Sequence, residues 1–228
     1  MTTATIPTLT ERAAELRELV RAQVSGATNV CVTCSFQAED MVVLQDVLEH
    51  LPEVPVLFLD TGYHFAETYA YRDRMAAEWK LNLVNILPRL TVAEQESQFG
   101  ILNQTAPDRC CGMRKVEPLF AALESYDVWF TGLRREQSRS RAQLQAVDTF
   151  ALPTGKHLRK ISPLTDWSTR DVWHYAAERG IPLLPLYDKG YSSIGCEPCT
   201  SLPSDPDDPR SGRWSGRKLE CGIHIQPS

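Results

Sequence analysis

The sequence predicts an α/β protein: a mostly parallel sheet with helices on both faces. Two patterns in the residues predict it. Short apolar, β-branched runs alternate along the chain with amphipathic segments of helical period. The strand-like runs are continuously apolar rather than alternating, as expected of strands covered on both faces. The first element is the helix TLTERAAELRELVRAQV, with Leu9, Ala13, Leu16 and Val20 on one face and Thr8 and Glu11 at capping-box spacing. NVCVTC then reads as a strand, SFQAED as a polar turn and MVVLQDVLEHL as a helix. PVLFLD is a second buried strand ended by TGYHF, ETYAYRDRMAAEW a helix and LNLVNIL a strand. RKVEPLFAAL is a helix and DVWFTGL a strand. STRDVWHYAAERG is a helix capped by Ser168, with Asp171 three residues on and Gly180 closing it.

In such sheets ligands bind beyond the carboxyl ends of the strands. Three strand ends carry suggestive residues here: CSFQAED, LDTGYHF and FTGLRREQSRSR. The chain divides into an N-terminal helical segment (1–28), a main domain (29–200) and a C-terminal tail (201–228). After Cys199 the composition shifts to Pro, Ser, Gly and Asp, which reads as irregular and mobile.

With 228 residues, 43% of them hydrophobic and 23% charged, the chain is long and apolar enough for a real core. A net charge of −5 argues against a general nucleic-acid or membrane-surface binder, so any basic function must be local. No charged-then-apolar leader opens the sequence, and no apolar run is long enough to span a bilayer; the expectation is a cytoplasmic protein. Seven cysteines in a reducing compartment point away from structural disulfides, as does their odd number.

Cys31 and Cys34 form a C-x-x-C, but within a strand residues three apart face opposite ways, so this pair reads as packing. Cys110-Cys111 in DRCCGMRK and Cys196-x-x-Cys199 in SSIGCEPCT differ. Four thiolates from two loops suit a tetrahedral zinc or an iron–sulfur cluster, and adjacent ligands sit more easily around a cube with separate iron corners. Pro198 stiffens the second loop and Gly195 permits a close backbone approach.

Ser35 and the amides after it, at a helix start, are candidates for a phosphate or sulfate; SFQAED is not a G-x-x-x-x-G-K-[ST] loop. Arg134, Arg135, Arg139 and Arg141 crowd RREQSRSR, and Arg210 and Arg213 lie in the tail; guanidinium groups grip such oxygens bidentately. Lys115 follows Cys111 by four residues. Cys221 stands near the terminus among Arg217, Lys218 and His224, cations that lower a thiol's pKa, with Glu220 acting the other way.

CSFQAED, LDTGYH, DRCCGMRKVEPL, TGLRREQSRSR, SPLTDWSTRDVW, GCEPCT and ECGIH occur in this order. Together they closely resemble the assimilatory adenylyl-sulfate reductases, relatives of phosphoadenylyl-sulfate reductase, from about residue 29 to His224. The resemblance implies an adenine nucleotide α-hydrolase-like fold. The glycine-rich SGGxDS loop of the related ATP pyrophosphatases is replaced by SFQAED, which fits a phosphosulfate ligand in place of ATP cleavage. The resemblance also implies a [4Fe-4S] cluster on Cys110, Cys111, Cys196 and Cys199. Relatives without those pairs reduce the 3′-phosphorylated nucleotide, so adenylyl sulfate is the implied substrate.

On that footing, Leu59 and the Thr131–Leu133 backbone, Gly132 included, flank the adenosine. Ser35, Lys115, Arg134, Arg141, Arg210 and Arg213 hold the phosphosulfate, and His224 orients the substrate or tunes the thiol. Cys221 attacks sulfur, AMP leaves, and thioredoxin or a similar dithiol protein releases sulfite. The rival readings are a phosphoadenylyl-sulfate reductase of the same chemistry, an ATP pyrophosphatase or nucleotidyl transferase with a structural metal, and a non-catalytic nucleotide-binding module.

Overall fold

The computed structural model describes residues 7–205, 208–216, 218, 220 and 222–224. Helix α1 (Leu9–Val24) starts where its sequence says it should. The Thr8 hydroxyl accepts from the Glu11 amide at 3.3 Å, and the Thr8 amide donates to the Glu11 carboxylate at 2.7 Å. The chain continues through β1 (Val30–Thr33), α2 (Ala38–Leu48), β2 (Pro55–Leu59), α3 (Ala66–Glu78) and β3 (Asn82–Ile86). Three helices follow, α4 (Val92–Phe99), α5 (Leu102–Thr105) and α6 (Pro107–Cys111), then a π-turn at Gly112–Val116 and α7 (Glu117–Leu123). Strands β4 (Val128–Phe130), β5 (Val147–Ala151) and β6 (His157–Ile161) precede α8 (Thr169–Glu178), capped by Ser168 as its sequence predicts.

The six strands run in the order β3-β2-β1-β4-β6-β5, all neighbours parallel except β5 and β6. The order reverses between β1 and β4, and the crevice at that switch is where the fold offers a binding site. Cys31 packs in the apolar layer with Leu119, Leu123 and Trp129, whereas Cys34 packs in the opposite layer with Phe36, Met41 and Phe58. The C-x-x-C pair is thus split across the sheet, as strand alternation requires, and burial pushes both thiols' pKa values up.

Three features differ from the sequence reading. Helix α2 begins at Ala38, so Glu39 and Asp40 form its first helical turn, where carboxylates complement the helix dipole. Strands β5 and β6 form an antiparallel hairpin that apolar runs did not announce, because three residues of β5 are exposed on the sheet edge. Its turn closes through Gly155, at φ +88. Strand β3 is an edge strand and only partly buried. No helix among the described residues is long and apolar enough to cross a membrane.

Candidate functional site

A cavity of about 580 Å³ opens at the switch between β1 and β4. Its floor is the ends of three strands: Thr33–Ser35, Leu57–Leu59 and Thr131–Arg134. The half-buried Asp40 carboxylate ties the first to the third. It accepts from the Ser35 amide and hydroxyl at 2.7 and 2.5 Å, and from the Gly132 amide at 3.1 Å. Burial raises the Asp40 pKa against these hydrogen bonds. The approach explains Gly132: a Cβ there would stand 2.8 Å from the Asp40 amide nitrogen. In the same loop Phe36 takes φ 61, uncommon for a bulky residue, and its ring is fully buried edge-on to Phe58 and Tyr71. An aromatic anchor replaces the usual glycine-rich turn.

The sequence-selected residues fall at this cavity, with differing engagements. Ser35, Leu59, Lys115, Gly132, Arg134, Arg141, Arg210, Arg213 and His224 all line it. Ser35 and Gly132 give their donors to Asp40, and the Leu59 carbonyl accepts from His64 Nε2 at 2.8 Å. Arg134 is turned inward. Its guanidinium donates to Glu39 at 2.7 Å, to the Trp167 carbonyl at 3.1 Å and to the Thr169 hydroxyl at 3.1 Å. It braces the wall with its hydrogen bonds already spent, unlike the anion contact expected of it. Arg213 lies flat on Gly195, where any Cβ would overlap its guanidinium, and donates to the Thr200 hydroxyl at 3.2 Å.

Cys221 lies outside the described residues. Its neighbours do not: Glu220, Ile223 and His224 line the cavity. Glu220 accepts from Arg141 Nε and Nη2 at 2.9 and 2.8 Å and from the Ser140 hydroxyl at 3.0 Å. Burial alone would raise its pKa, but Arg141 and Arg210 outweigh that and hold it below the usual carboxylate range. Burial drives the His224 pKa well down, aided by Lys160, Arg141 and Arg210, so its ring is neutral. Its Nδ1 is buried without a hydrogen-bond partner among the described residues.

Cys110, Cys111, Cys196 and Cys199 line a second, smaller cavity together with Asn103, Lys115 and Trp214. Lys115 and Trp214 border both cavities. The LDTGYHF loop carries one half of this second site: the Thr61 hydroxyl is 3.3 Å from Cys196 Sγ, and the Glu197 amide donates to the Tyr63 carbonyl at 2.7 Å. Buried Arg114 ties the halves, donating to the Thr61 carbonyl at 2.5 Å and to Gln95 at 3.1 Å, while Gln95 reaches Cys110 Sγ at 3.9 Å. Burial alone would raise the Cys196 pKa, but Lys115, Thr61 and Arg213 bring it down; burial pushes Cys199 up to about 11. The Asn103 side-chain oxygen is buried here with no partner among the described residues. Among those residues no three His, Cys, Asp or Glu side chains converge as ligands of one ion.

Sequence reasoning missed Arg114, His64, Trp129, Lys160 and Trp214. Trp129 had no local signal because its strand read as core, and Lys160 had none because β6 was not read as a strand. Burial lowers the His64 pKa to about 4, so it serves as a neutral brace on Leu59.

Residues 29–202 match the phosphoadenosine phosphosulfate reductase domain family. The chain is 44% identical to the adenosine 5′-phosphosulfate reductase of Streptomyces coelicolor, over 98% of this chain and 96% of that one. It is 42% identical to the phosphoadenosine 5′-phosphosulfate reductase of Gloeobacter violaceus, over 83% of this chain and 80% of the other. The crystal structure of the phosphoadenylyl-sulfate reductase from Candida auris superposes with a TM-score of 0.69 at 24% identity, covering 86% of this chain and 98% of that one, a likeness of fold.

Proposed function

The chain belongs to the phosphoadenosine phosphosulfate reductase domain family, and on that premise we propose that it reduces adenylyl sulfate to sulfite and AMP in sulfate assimilation, in the cytoplasm. The observation that carries this reading is the cationic cavity at the strand switch, with residues on either side of Cys221 lining it. Leu59 and Thr131–Leu133 flank the adenosine. Lys115, Arg141, Arg210 and Arg213 face the phosphosulfate, and Arg134 braces the wall behind them through Glu39.

The Cys221 thiolate attacks the sulfur of the sulfate group. The new S–S bond forms as the bond from sulfur to the bridging oxygen breaks, and both electrons of that bond leave with AMP. Arginine and lysine groups neutralise the charge on the leaving phosphate. The product on the enzyme is S-sulfocysteine. A dithiol protein, thioredoxin or one like it, then attacks the Cys221 sulfur. Sulfite departs with the electron pair, and the partner's second thiol closes its disulfide and returns Cys221 as a thiol. The tail (201–228) serves both steps by carrying one sulfur from the closed cavity to a protein partner. Neutral His224, whose Nδ1 has no partner among the described residues, offers a hydrogen bond to the nucleotide.

The four cysteines around the second cavity would hold a [4Fe-4S] cluster. The donor set fits: two thiols at the end of α6 and two in the loop after α8 border one cavity, and the adjacent Cys110 and Cys111 sit more easily at separate iron corners than on one zinc ion. Bound there, the cluster would supply fixed charge beside Lys115, which borders both cavities.

The test is intact-mass analysis after anaerobic mixing with adenylyl sulfate and no dithiol. An SO3 adduct on Cys221, lost on adding reduced thioredoxin, is expected; AMP release with Cys221 unmodified would sink the mechanism. The name of the Gloeobacter relative keeps the 3′-phosphorylated nucleotide as a second reading, and the ratio of kcat/KM for the two nucleotides decides between them.

A further inference from the structure

Lys160 occupies a place where lysine is rarely found. It lies on β6, 5% exposed, directly in register with Trp129 on the neighbouring parallel strand β4. Its ammonium stands 4.9 Å from the Trp129 ring centroid and 5.0 Å from that of Phe150. Asp148, Arg141 and Glu220 are the charged groups around it. A buried ammonium needs an acceptor, and Lys160 donates to the backbone carbonyl of His224 at 3.3 Å.

The contact is one part of a seat. The His224 imidazole stacks on Trp129, with ring centroids 5.5 Å apart and planes 18° from parallel. Trp129 is itself fixed, its indole N–H donating to the Thr33 hydroxyl at 2.8 Å at the end of β1. Ile223 packs on the same apolar layer as Trp129 and Leu119. Gly222 takes φ +93 and runs close by Val116, where a Cβ would stand 3.3 Å from the valine methyl. Three consecutive residues are therefore held by the face formed by β4, β6 and the π-turn. None of these contacts uses an arginine of the anion cavity.

We propose that Lys160 is a positioning residue: with Trp129 it seats His224, and so holds the segment that carries Cys221 against the anion cavity. It rests on the reading of Cys221 as the nucleophile, and it adds a residue that is not among those lining the anion cavity. An aliphatic side chain would pack as well between Trp129 and Phe150. What it could not do is hold the His224 carbonyl.

The experiment follows Cys221 without turnover. Full-length Lys160→Met is treated with iodoacetamide, and Cys221 modification is read by peptide mapping. Loss of a charged donor should make it about tenfold faster than in the parent. Lys160→Arg, which keeps a cationic donor, should retain most of the protection. With adenylyl sulfate, Lys160→Met should lower kcat for adduct formation about tenfold and leave the Kd for AMP unchanged. A Lys160→Met protein that melts like the parent and protects Cys221 equally overturns the proposal. Should that variant not fold, the parent decides. Acetic anhydride should label Lys160 far more slowly than exposed Lys80, and His224→Ala should speed it; equal labelling of the two lysines in the parent overturns the seat. If the parent forms no adduct, yet Lys160→Met exposes a protected Cys221, the seat stands and the assignment of Cys221 as nucleophile falls.

Discussion

The Glu220 carboxylate grips the Arg141 guanidinium through two hydrogen bonds, at 2.9 and 2.8 Å, immediately before Cys221 in the chain. Arg210 stands 3.9 Å from the same carboxylate. Arg141 of the main domain and Arg210 of the tail, both of which would face a phosphosulfate, are thus engaged by Glu220. Paired charge-assisted hydrogen bonds of this kind are the strong ones. Glu220→Gln keeps the shape, gives up the charge and frees Arg141 for the substrate. The expected result is a kcat for adduct formation lowered about tenfold, with the nucleotide KM unchanged or reduced. Single-turnover rates across nucleotide concentration check it. A raised KM with unchanged kcat would show that Glu220 serves the substrate and not the tail.

The four-thiol cavity makes a compositional prediction. If the thiols ring a cluster with one thiolate per iron, removing one leaves an iron without its ligand and exposes the rest. Cys199→Ser and Cys110→Ser proteins prepared without oxygen should both lose most of their iron and their visible absorption, and zinc should not replace it in the parent. Iron and zinc analysis of the three proteins decides. A parent holding one zinc per chain, lost in both variants, would return the site to a single-ion reading.

Much of this arrangement was legible in the residues. Continuous apolar runs mark β1, β2 and β4 because both sheet faces are covered, and local hydrogen-bond chemistry marks the capping boxes at Thr8 and Ser168. The β5–β6 hairpin was hidden by its edge position, and since neither VDTFA nor HLRKI alternates strictly, the Pro-Thr-Gly turn between them was its readable signal. Helix α4 carried a readable box, Thr91 with Glu94, in a stretch too polar to attract a helix reading. The cationic residues that line the cavity could be listed from sequence but not sorted. Nothing local distinguishes Arg134, spent on Glu39, from Arg141, spent on the tail. Lys160 and Trp129 lay further out of reach, because strand register alone makes them neighbours.

His224 sets a pH limb. Its pKa is depressed in the seated state by burial, then by Lys160, Arg141 and Arg210. A histidine that binds protons more weakly when seated contributes fully above its free pKa, about 6.5, and the contribution is lost as pH falls below that value. Adduct formation should therefore weaken below about pH 6.5 by a limb that His224→Gln removes, since glutamine does not titrate. The pH profile of single-turnover rate in both proteins checks it. An identical acid limb in the variant would assign the limb to another group.

Asp46 gives a stability prediction away from the site. Its side chain is buried on α2 against the Tyr175 hydroxyl, at 3.1 Å from each carboxylate oxygen, and burial raises its pKa to about 6. An acid whose folded pKa is raised is penalised once ionised. The penalty is absent below the unfolded value, grows between about pH 4 and 6, and is complete above that. Asp46→Asn should thus be more stable than the parent at pH 7–8, by on the order of 1–3 kcal/mol, with the gap closing towards pH 4. Urea unfolding at several pH values measures the gap. A gap independent of pH would mean the carboxyl does not titrate in this window.

Gly132 and Gly195 separate the scaffold from the site by the same substitution. A Cβ on Gly132 meets backbone: the Asp40 amide nitrogen at 2.8 Å and the Glu39 carbonyl carbon at 2.9 Å, both in the first turn of α2. Neither can move without shifting the helix that ties β1 to β4, so Gly132→Ala should cost stability, about 1–3 kcal/mol as overpacking does. The atoms nearest a Cβ on Gly195 are those at the end of the Arg213 side chain. That guanidinium can swing aside at little cost to the fold, but it then leaves Thr200 and the wall it shares with the anion cavity. Gly195→Ala should therefore melt close to the parent and raise the nucleotide KM about tenfold or more, the loss expected for a displaced charged hydrogen-bond donor. Thermal melts and steady-state kinetics on the two variants check the contrast. If Gly195→Ala lost stability and kept its KM, Arg213 would be a structural arginine and the anion set would shrink to Lys115, Arg141 and Arg210.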